Sequence, residues 1–355
     1  MLLKKIFYSS LWGKRLCPFP FNRLEISNQN DFIPCCYDWV KYDSLPTNTN
    51  SQVWNSEQAQ LIRRSMHDGS MKYCDQSKCN AITFSFLQLV FFSFFAKFSK
   101  KFPYHTLSFK VLLSILLKKE VLTEKPSHLN YSSDLSCNLK CPSCRSNYIS
   151  NDPKINLEKN TGLFKDIALE AETILFSGGE FFFSKRNLNI LQSIKQSEYP
   201  NLKTITVMTN GLLFNKKLWD GLGEGKLFIK RILVSIDAGN ESHYRITRGG
   251  NFKHLLENLE FIKTLKESNE LDFFSIQFVP RKDNYESMEE FVLLGEKLNV
   301  DRVLFQTFCQ WSESSLEFVE QAIHLKTHPN YHDFEKIAQK VKHKSIVTWN
   351  IEVST

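Results

Sequence analysis

Between residues 128 and 311 short apolar runs alternate with longer amphipathic ones, and this rhythm restricts the fold more than any other feature of the chain. The runs "HLNYSSDLS" (128–136), "TILFSGGE" (173–180), "KTITVMTNG" (203–211), "KRILVSIDA" (230–238), "FFSIQFVP" (273–280) and "DRVLFQTF" (301–308) read as strands. Between them "LEKNTGLFKDIALEAE" (157–172), segments near 185–196 and 214–222, a stretch at 252–267 and "YESMEEFVLLGEKLN" (285–299) read as helices. In the longest, Leu255, Leu256, Leu259, Ile262 and Leu265 share one face. Six strands alternating with five helices imply an α/β chain with a parallel sheet and right-handed crossovers. Residues 331–342 offer one further helix.

In such a sheet the loops leaving the carboxyl ends of the strands carry the chemistry. Each unusual stretch of this region sits at such an end: "CNLKCPSC" after the first strand, "SGGE" at the second, "TNG" at the third, "SIDAG" at the fourth, "PRKDN" after the fifth and "FCQW" after the sixth. The first of these holds Cys137, Cys141 and Cys144, three of the nine cysteines; the others are Cys17, Cys35, Cys36, Cys74, Cys79 and Cys309.

Nothing at the amino terminus has the uninterrupted apolar core of an export signal, so the expectation is a cytoplasmic chain whose thiols stay reduced and bind metal rather than pair as disulfides. A structural zinc ion takes four ligands, and the triplet has no fourth cysteine or histidine nearby. Three thiolates on a 4Fe-4S cluster leave one iron open to substrate or cofactor. The "SGGE" stretch lacks the G-x-G-x-x-G phosphate loop of a doubly wound nucleotide-binding enzyme, which would also leave the cysteines unexplained.

The C-x3-C-x2-C triplet after the first strand, "GGE" after the second and "SID" at the end of the fourth resemble the radical S-adenosylmethionine superfamily, over roughly residues 128–311. The resemblance implies a partial, six-stranded β/α barrel in which Cys137, Cys141 and Cys144 hold the cluster and the amino and carboxylate groups of S-adenosylmethionine chelate its fourth iron. It further implies that Gly178 and Gly179 expose backbone beside the methionyl group and that Glu180 lies near its ammonium. Asn210, Ser235 and Asp237 match positions that help to hold the cofactor, although such residues also serve as turn and cap formers. Arg248 resembles a position that reaches the cofactor carboxylate, with Arg245 as its competitor. The family places an aromatic residue before the third cysteine where this chain has Ser143, so its adenine contacts differ. Cys309 reads either as a core thiol or as a group facing substrate or a second cluster.

Toward the amino terminus, "RLEI" and "FIPC" flank the polar turn "SNQND" as a hairpin that pairs Cys17 with Cys35, and Trp54 opens a helix with Ile62 and Met66 on one face before Cys74 and Cys79. The pattern is similar to the SPASM-type accessory domain, which binds an auxiliary 4Fe-4S cluster; it stands here before the barrel, where the family usually has it after. Cys17, Cys35, Cys74 and Cys79 match one such cluster. Cys36 competes with Cys35, since neighbouring strand residues point to opposite faces, and a structural zinc is the alternative occupant. The expected organisation is an auxiliary-cluster domain at 1–80, a Phe-rich linker or helical segment at 81–127, the barrel at 128–311 and a helical extension at 312–355.

The resemblance implies an enzyme that reductively cleaves S-adenosylmethionine to a 5′-deoxyadenosyl radical and takes hydrogen from a peptide or natural-product substrate. A one-electron reductase, or a donor of the flavodoxin or ferredoxin type, would serve it. The rival class is a non-enzymatic iron–sulfur or zinc protein that senses redox state or binds a partner. The net charge of +7 is spread through the helices, which gives no basis for a nucleic-acid partner. Thirty phenylalanines read as core material. The segment 81–102, broken by Ser85, Gln88, Ser93 and Lys97, reads as a buried or interfacial helix rather than a membrane span.

Overall fold

All six apolar runs are strands in a computed structural model, which describes residues 15–27, 32–35, 40, 54–75, 84–95, 107–145, 147–150, 164–165, 168–309 and 315–351. In chain order the strands are β1 (Arg15–Leu16), β2 (Arg23–Ile26), β3 (Phe32–Pro34), β4 (Phe84–Ser85), β5 (His128–Tyr131), β6 (Thr173–Phe176), β7 (Thr204–Thr209), β8 (Ile229–Ser235), β9 (Phe273–Phe278), β10 (Arg302–Gln306) and β11 (Val347–Asn350). A nine-stranded sheet runs in the order β11-β10-β9-β8-β7-β6-β5-β2-β3 and does not close on itself, while β1 and β4 form a separate antiparallel pair.

The expected six strands are β5 to β10, and three more join them. β11 follows the helix Tyr331–Val341 and pairs in parallel with β10, Val303 opposite Val347. β2 pairs in parallel with β5, Leu24 opposite Leu129, and antiparallel with β3, Leu24 opposite Pro34. The hairpin read from "RLEI" and "FIPC" therefore forms, and it enters the main sheet through β2.

By contacts the chain divides into two compact units, one of residues 1–133, 158–175 and 197–204 and the other of 134–157, 176–196 and 205–355. In the first, the helix Glu57–Asp68 is capped by Ser56, which accepts from the amide of Ala59, and ends at Gly69 in the left-handed region. Ile62 and Met66 are buried on one face as their spacing predicts. Arg63, from the same helix, is fully buried and donates to the carbonyls of Pro20 at 2.8 Å, Trp54 at 2.6 Å and Glu120 at 2.8 Å. Its guanidinium also lies 4.4 Å from the Trp54 ring, so one cation cross-links three separate chain segments. The Phe-rich segment contains the helix Phe86–Phe95, and no helix among the described residues is long and apolar enough to cross a membrane.

In the second unit β9 is buried at all six positions, as a strand covered on both faces must be. β8 to β10 run parallel, with Ser235 opposite Gln277 and Phe305 opposite Phe278. Phe278, Phe291 and Phe305 touch one another at 5.0 to 5.9 Å between ring centroids, and Phe305 touches Trp349 of β11 at 5.4 Å. The helix Phe252–Glu267 buries Leu255, Leu259, Ile262 and Leu265 as expected, but Asn258 takes the place expected of Leu256. Its amide donates to the carbonyls of Gly211 and Leu212, both at 2.9 Å, and so holds the turn that follows β7. Most of the expected helix at 157–172 lies outside the described residues.

Candidate active site

The cysteine loop is built around its own backbone. Asp134 accepts the amide of Ser136 at 2.8 Å and the hydroxyl of Ser184 at 2.5 Å. Its carbonyl accepts the amide of Gly179 at 2.9 Å, and the Ser136 carbonyl accepts that of Glu180 at 2.7 Å. Two backbone bonds thus lock the "GGE" turn against the residues just before Cys137. The approach is possible because position 179 has no side chain, and Gly178 takes φ 100°, which L side chains rarely adopt.

Among the described residues each of the three sulfurs accepts one hydrogen bond. Cys137 is half-buried, and its Sγ accepts the amide of Leu139 at 3.4 Å. Cys141 is buried and accepts from Arg248 Nη1 at 3.6 Å. Cys144 is exposed and accepts from Arg145 Nη2 at 3.5 Å. Burial pushes the Cys137 thiol up, partly countered by the Leu139 amide and the Arg145 charge. Among the described residues no three His, Cys, Asp or Glu side chains gather tightly enough for a single ion. A 4Fe-4S cube attaches its thiolates to separate irons, and three thiols on one loop suit that arrangement.

Glu180 is buried at 1% exposure, and its carboxylate accepts the Thr209 hydroxyl at 2.6 Å and the amides of Asn210 at 2.5 Å and Phe182 at 3.2 Å. Burial raises its pKa, and those bonds together with the Arg248 charge pull the other way. Asn210 donates to Asn138 Oδ1 at 2.8 Å, which ties the turn after β7 to a residue inside the cysteine triplet. Ser235 lies half-buried at the end of β8 with its hydroxyl toward Gln277, 3.4 Å away.

Asp237 is a hub. Its backbone is left-handed (φ 57°), its carboxylate accepts the Val279 amide at 2.8 Å and pairs with Arg248 at 2.6 Å, and its carbonyl accepts from Asn284 at 3.0 Å. Burial alone would lower the pKa of Arg248, but the neighbouring Asp237 and Cys141 hold it above the ordinary value. Arg245 is exposed, so of the two competing arginines only Arg248 is drawn into this network. Both belong to the helix Glu241–Thr247 and its cap, an element the sequence reading did not anticipate. Tyr244 of that helix is buried, and its hydroxyl has no hydrogen-bond partner among the described residues. Burial raises its pKa, eased by Arg248 and reinforced by Cys141, Asp237 and Glu180. Cys309 is half-buried with its thiol 3.6 Å from the Thr307 carbonyl.

In the first unit Cys17 and Cys35 are buried and Cys74 is half-buried. Cys35 has φ 99° and donates its amide to the Arg23 carbonyl at 3.4 Å, while Cys74 forms an isolated antiparallel bridge with Val40. Cys36 and Cys79 lie outside the described residues.

Residues 135–294 match the radical SAM superfamily, and residues 17–80 match an iron–sulfur cluster-binding domain, SPASM. Residues 135–294 are a radical SAM domain. The cofactors of this radical SAM protein are therefore a 4Fe-4S cluster and S-adenosylmethionine, with iron–sulfur binding in the SPASM region as well. The residues present fit the cluster: three thiols each with a donor aimed at the sulfur, beside a buried carboxylate and a buried tyrosine hydroxyl without a partner.

Among solved structures the chain is similar to SuiB of Streptococcus suis bound to S-adenosylmethionine, with 15% identity over 83% of this chain and 65% of that one and a TM-score of 0.46. It is also similar to TYW1 with a lysine-pyruvate adduct bound (17% identity, 62% of this chain and 72% of that one, TM-score 0.40). A third is anSMEcpe with bound AdoMet and the Cp18Cys peptide (18% identity, 62% and 63%, TM-score 0.41). The chain spans about 65% of the length of SuiB.

Proposed function

We propose that this radical SAM protein is an enzyme that abstracts a hydrogen atom from a peptide or another substrate carrying an unactivated C–H bond. The observation that carries the reading is the pair of backbone bonds from Gly179 and Glu180 to Asp134 and Ser136, which brings a buried carboxylate next to the cysteine triplet. A protein that merely stored a cluster would have no use for that carboxylate. When bound, the cluster and S-adenosylmethionine supply reductive cleavage of a C–S bond and a 5′-deoxyadenosyl radical.

The residues of the chain do the rest. Cys137, Cys141 and Cys144 would hold the cluster. Glu180, oriented by Thr209 and two amides, would receive the cofactor's ammonium, and Gly178 and Gly179 would leave backbone open to its methionyl chain. Asn210, Ser235 and Asp237 shape the wall, and Arg248 holds Asp237 and the Cys141 sulfur together. Cys309 stands at the rim where substrate would enter. Residues 1–80 act as the auxiliary-cluster module, with Cys17, Cys35, Cys74 and Cys79 as ligands, and residues 128–311 as the barrel. Peptide substrates are the leading class because solved structures of SuiB and anSMEcpe hold peptides. A one-electron reductase or a small flavin or iron–sulfur donor would deliver the electron.

The test is anaerobic reconstitution with iron and sulfide, reduction, addition of S-adenosylmethionine and chromatography of the products. Formation of 5′-deoxyadenosine is expected. A reduced protein that holds its iron and never forms it would be a non-enzymatic iron–sulfur protein.

A further inference from the structure

Beside the Asp237–Arg248 pair lies a second buried cation that the reading above does not use. Arg281, in the loop that leaves β9, is 2% exposed, and its Nε and Nη2 have no hydrogen-bond partner among the described residues. The loop around it is fixed on both sides. The Arg281 amide donates to Asn284 Oδ1 at 2.7 Å, and the Asn284 amide group donates to the carbonyls of Asp237 and Val279, both at 3.0 Å. The next residue, Lys282, donates its backbone amide to the Gln321 carbonyl at 3.1 Å. The guanidinium therefore does not lack partners through looseness of its loop. On its other side it lies 5.9 Å from the ring centroid of Phe308, the residue before Cys309.

Charge sharpens the point. Arg248 and Arg281 feel one another, and the buried carboxylate that answers them, Asp237, is already engaged by Arg248 at 2.6 Å and by the Val279 amide at 2.8 Å. Asp283 contributes from a half-exposed position. A buried guanidinium with idle donors is costly unless an anion takes them, and the planar fork of arginine suits a carboxylate. Arg248 already commits Nη2 to Asp237 and Nη1 to the Cys141 sulfur and keeps only its Nε without a partner among the described residues, so it lacks the idle Nε–Nη2 edge that Arg281 presents.

We infer that Arg281 is a carboxylate-binding residue of this site, taking a carboxylate of the bound reactants at the rim between β9 and β10. This rests on the reading of the site proposed above. The carboxylate belongs either to the methionyl part of the cofactor or to the substrate, and the two sources separate by experiment.

The full chain with its clusters reconstituted is compared as wild type, Arg281→Gln and Arg281→Lys. The readouts are the melting temperature without ligand, affinity for S-adenosylmethionine and for its decarboxylated analogue, and the response of cofactor-loaded protein to acetate. Arg281→Gln without ligand should melt no lower than wild type, because it removes a buried charge that has no partner. If the carboxylate is the cofactor's, Arg281→Gln weakens binding of S-adenosylmethionine about tenfold or more but leaves affinity for the analogue at the wild-type value, and Arg281→Lys loses less. If it is the substrate's, Arg281→Gln binds each cofactor form with the affinity of wild type. Acetate then raises the melting temperature of loaded wild type saturably, and of Arg281→Gln not at all. Melting of Arg281→Gln well below wild type, or equal responses of the two proteins to every carboxylate probe, would overturn the inference. None of the three readouts needs turnover, so a failure to form 5′-deoxyadenosine would leave this test standing.

Discussion

A Cβ atom on Gly179 would lie 2.2 Å from the carbonyl oxygen of Ser136 and 2.6 Å from the carbonyl carbon of Leu135. Both neighbours are backbone and cannot swing aside, so a side chain here must push the turn after β6 away from the cysteine loop. Gly179→Ala is expected to cost about 1–3 kcal/mol of stability and to weaken S-adenosylmethionine binding at least as much as it lowers the melting temperature. Calorimetric melting and equilibrium dialysis on the same reconstituted sample check both. An alanine variant that binds the cofactor normally would show that the close approach is incidental.

The triplet should be separable from the fold. Cys137 and Cys141 are tied in by backbone bonds, Cys137 to the Ile149 carbonyl at 2.9 Å and the Cys141 carbonyl to the Cys144 amide at 2.9 Å, and these survive loss of the thiols. Replacing all three with alanine is expected to abolish 5′-deoxyadenosine formation while the far-ultraviolet circular dichroism stays that of wild type. Continued cleavage in that variant would remove the triplet from the chemistry.

What was legible in the sequence was what lies contiguous along it. β5 to β10 announce themselves by apolar runs, and the triplet and "GGE" by spacing. β11 did not, because "VTWN" at the sheet edge is only half-buried and carries no apolar run. The hairpin of β2 and β3 was legible from its turn, but the parallel pairing of Leu24 with Leu129 joins residues 105 positions apart and leaves no local signature. The same limit governs the site. Asn138, Thr209 and Asn284 act through partners on other loops, and only their position in motif-bearing loops could have pointed to them. Leu256 and Asn258 show the reverse error: apolarity favoured the leucine, while two carbonyls at the turn after β7 needed the amide.

Glu180→Gln should weaken S-adenosylmethionine binding by about 1.5–3 kcal/mol, the worth of a hydrogen bond to a charged group, with cluster iron unchanged. The pH dependence gives a second check. Because burial raises the folded pKa of Glu180, its stabilising contribution to the ligand-free protein is complete below the ordinary carboxylate value and is lost as pH rises through the raised one. Affinity for a cationic ligand runs in the opposite direction and falls as pH drops through that same raised value. Wild type should show both trends and Glu180→Gln neither, by melting and by dialysis across mildly acidic to neutral pH.

Arg145 sits where it can tune the cluster, anchored through Nη1 on the Leu135 carbonyl at 2.6 Å while Nη2 reaches Cys144 Sγ at 3.5 Å. A hydrogen bond and a positive charge at a ligating sulfur favour the more negative, reduced state. Arg145→Met should therefore make the reduction potential more negative, by about 60 mV if the lost interaction is worth a factor of ten. Titration followed by electron paramagnetic resonance measures this directly, and an unmoved potential would reduce Arg145 to a brace for the loop.

The last prediction separates the two iron sites. Cys17, Cys35 and Cys74 belong to the first unit, and Cys137, Cys141 and Cys144 to the second. If Cys17, Cys35, Cys74 and Cys79 hold a cluster of their own, replacing all four with alanine should lower bound iron from about eight to about four per chain, since each 4Fe-4S cluster takes its own thiolates. The variant should still form 5′-deoxyadenosine, because the triplet and Glu180 are untouched, whereas conversion of the true substrate should fall much further. Four irons and one zinc in the wild type would instead make the amino-terminal site structural. In that case the module would brace the fold without passing electrons, and the quadruple variant should lose melting temperature rather than electron transfer.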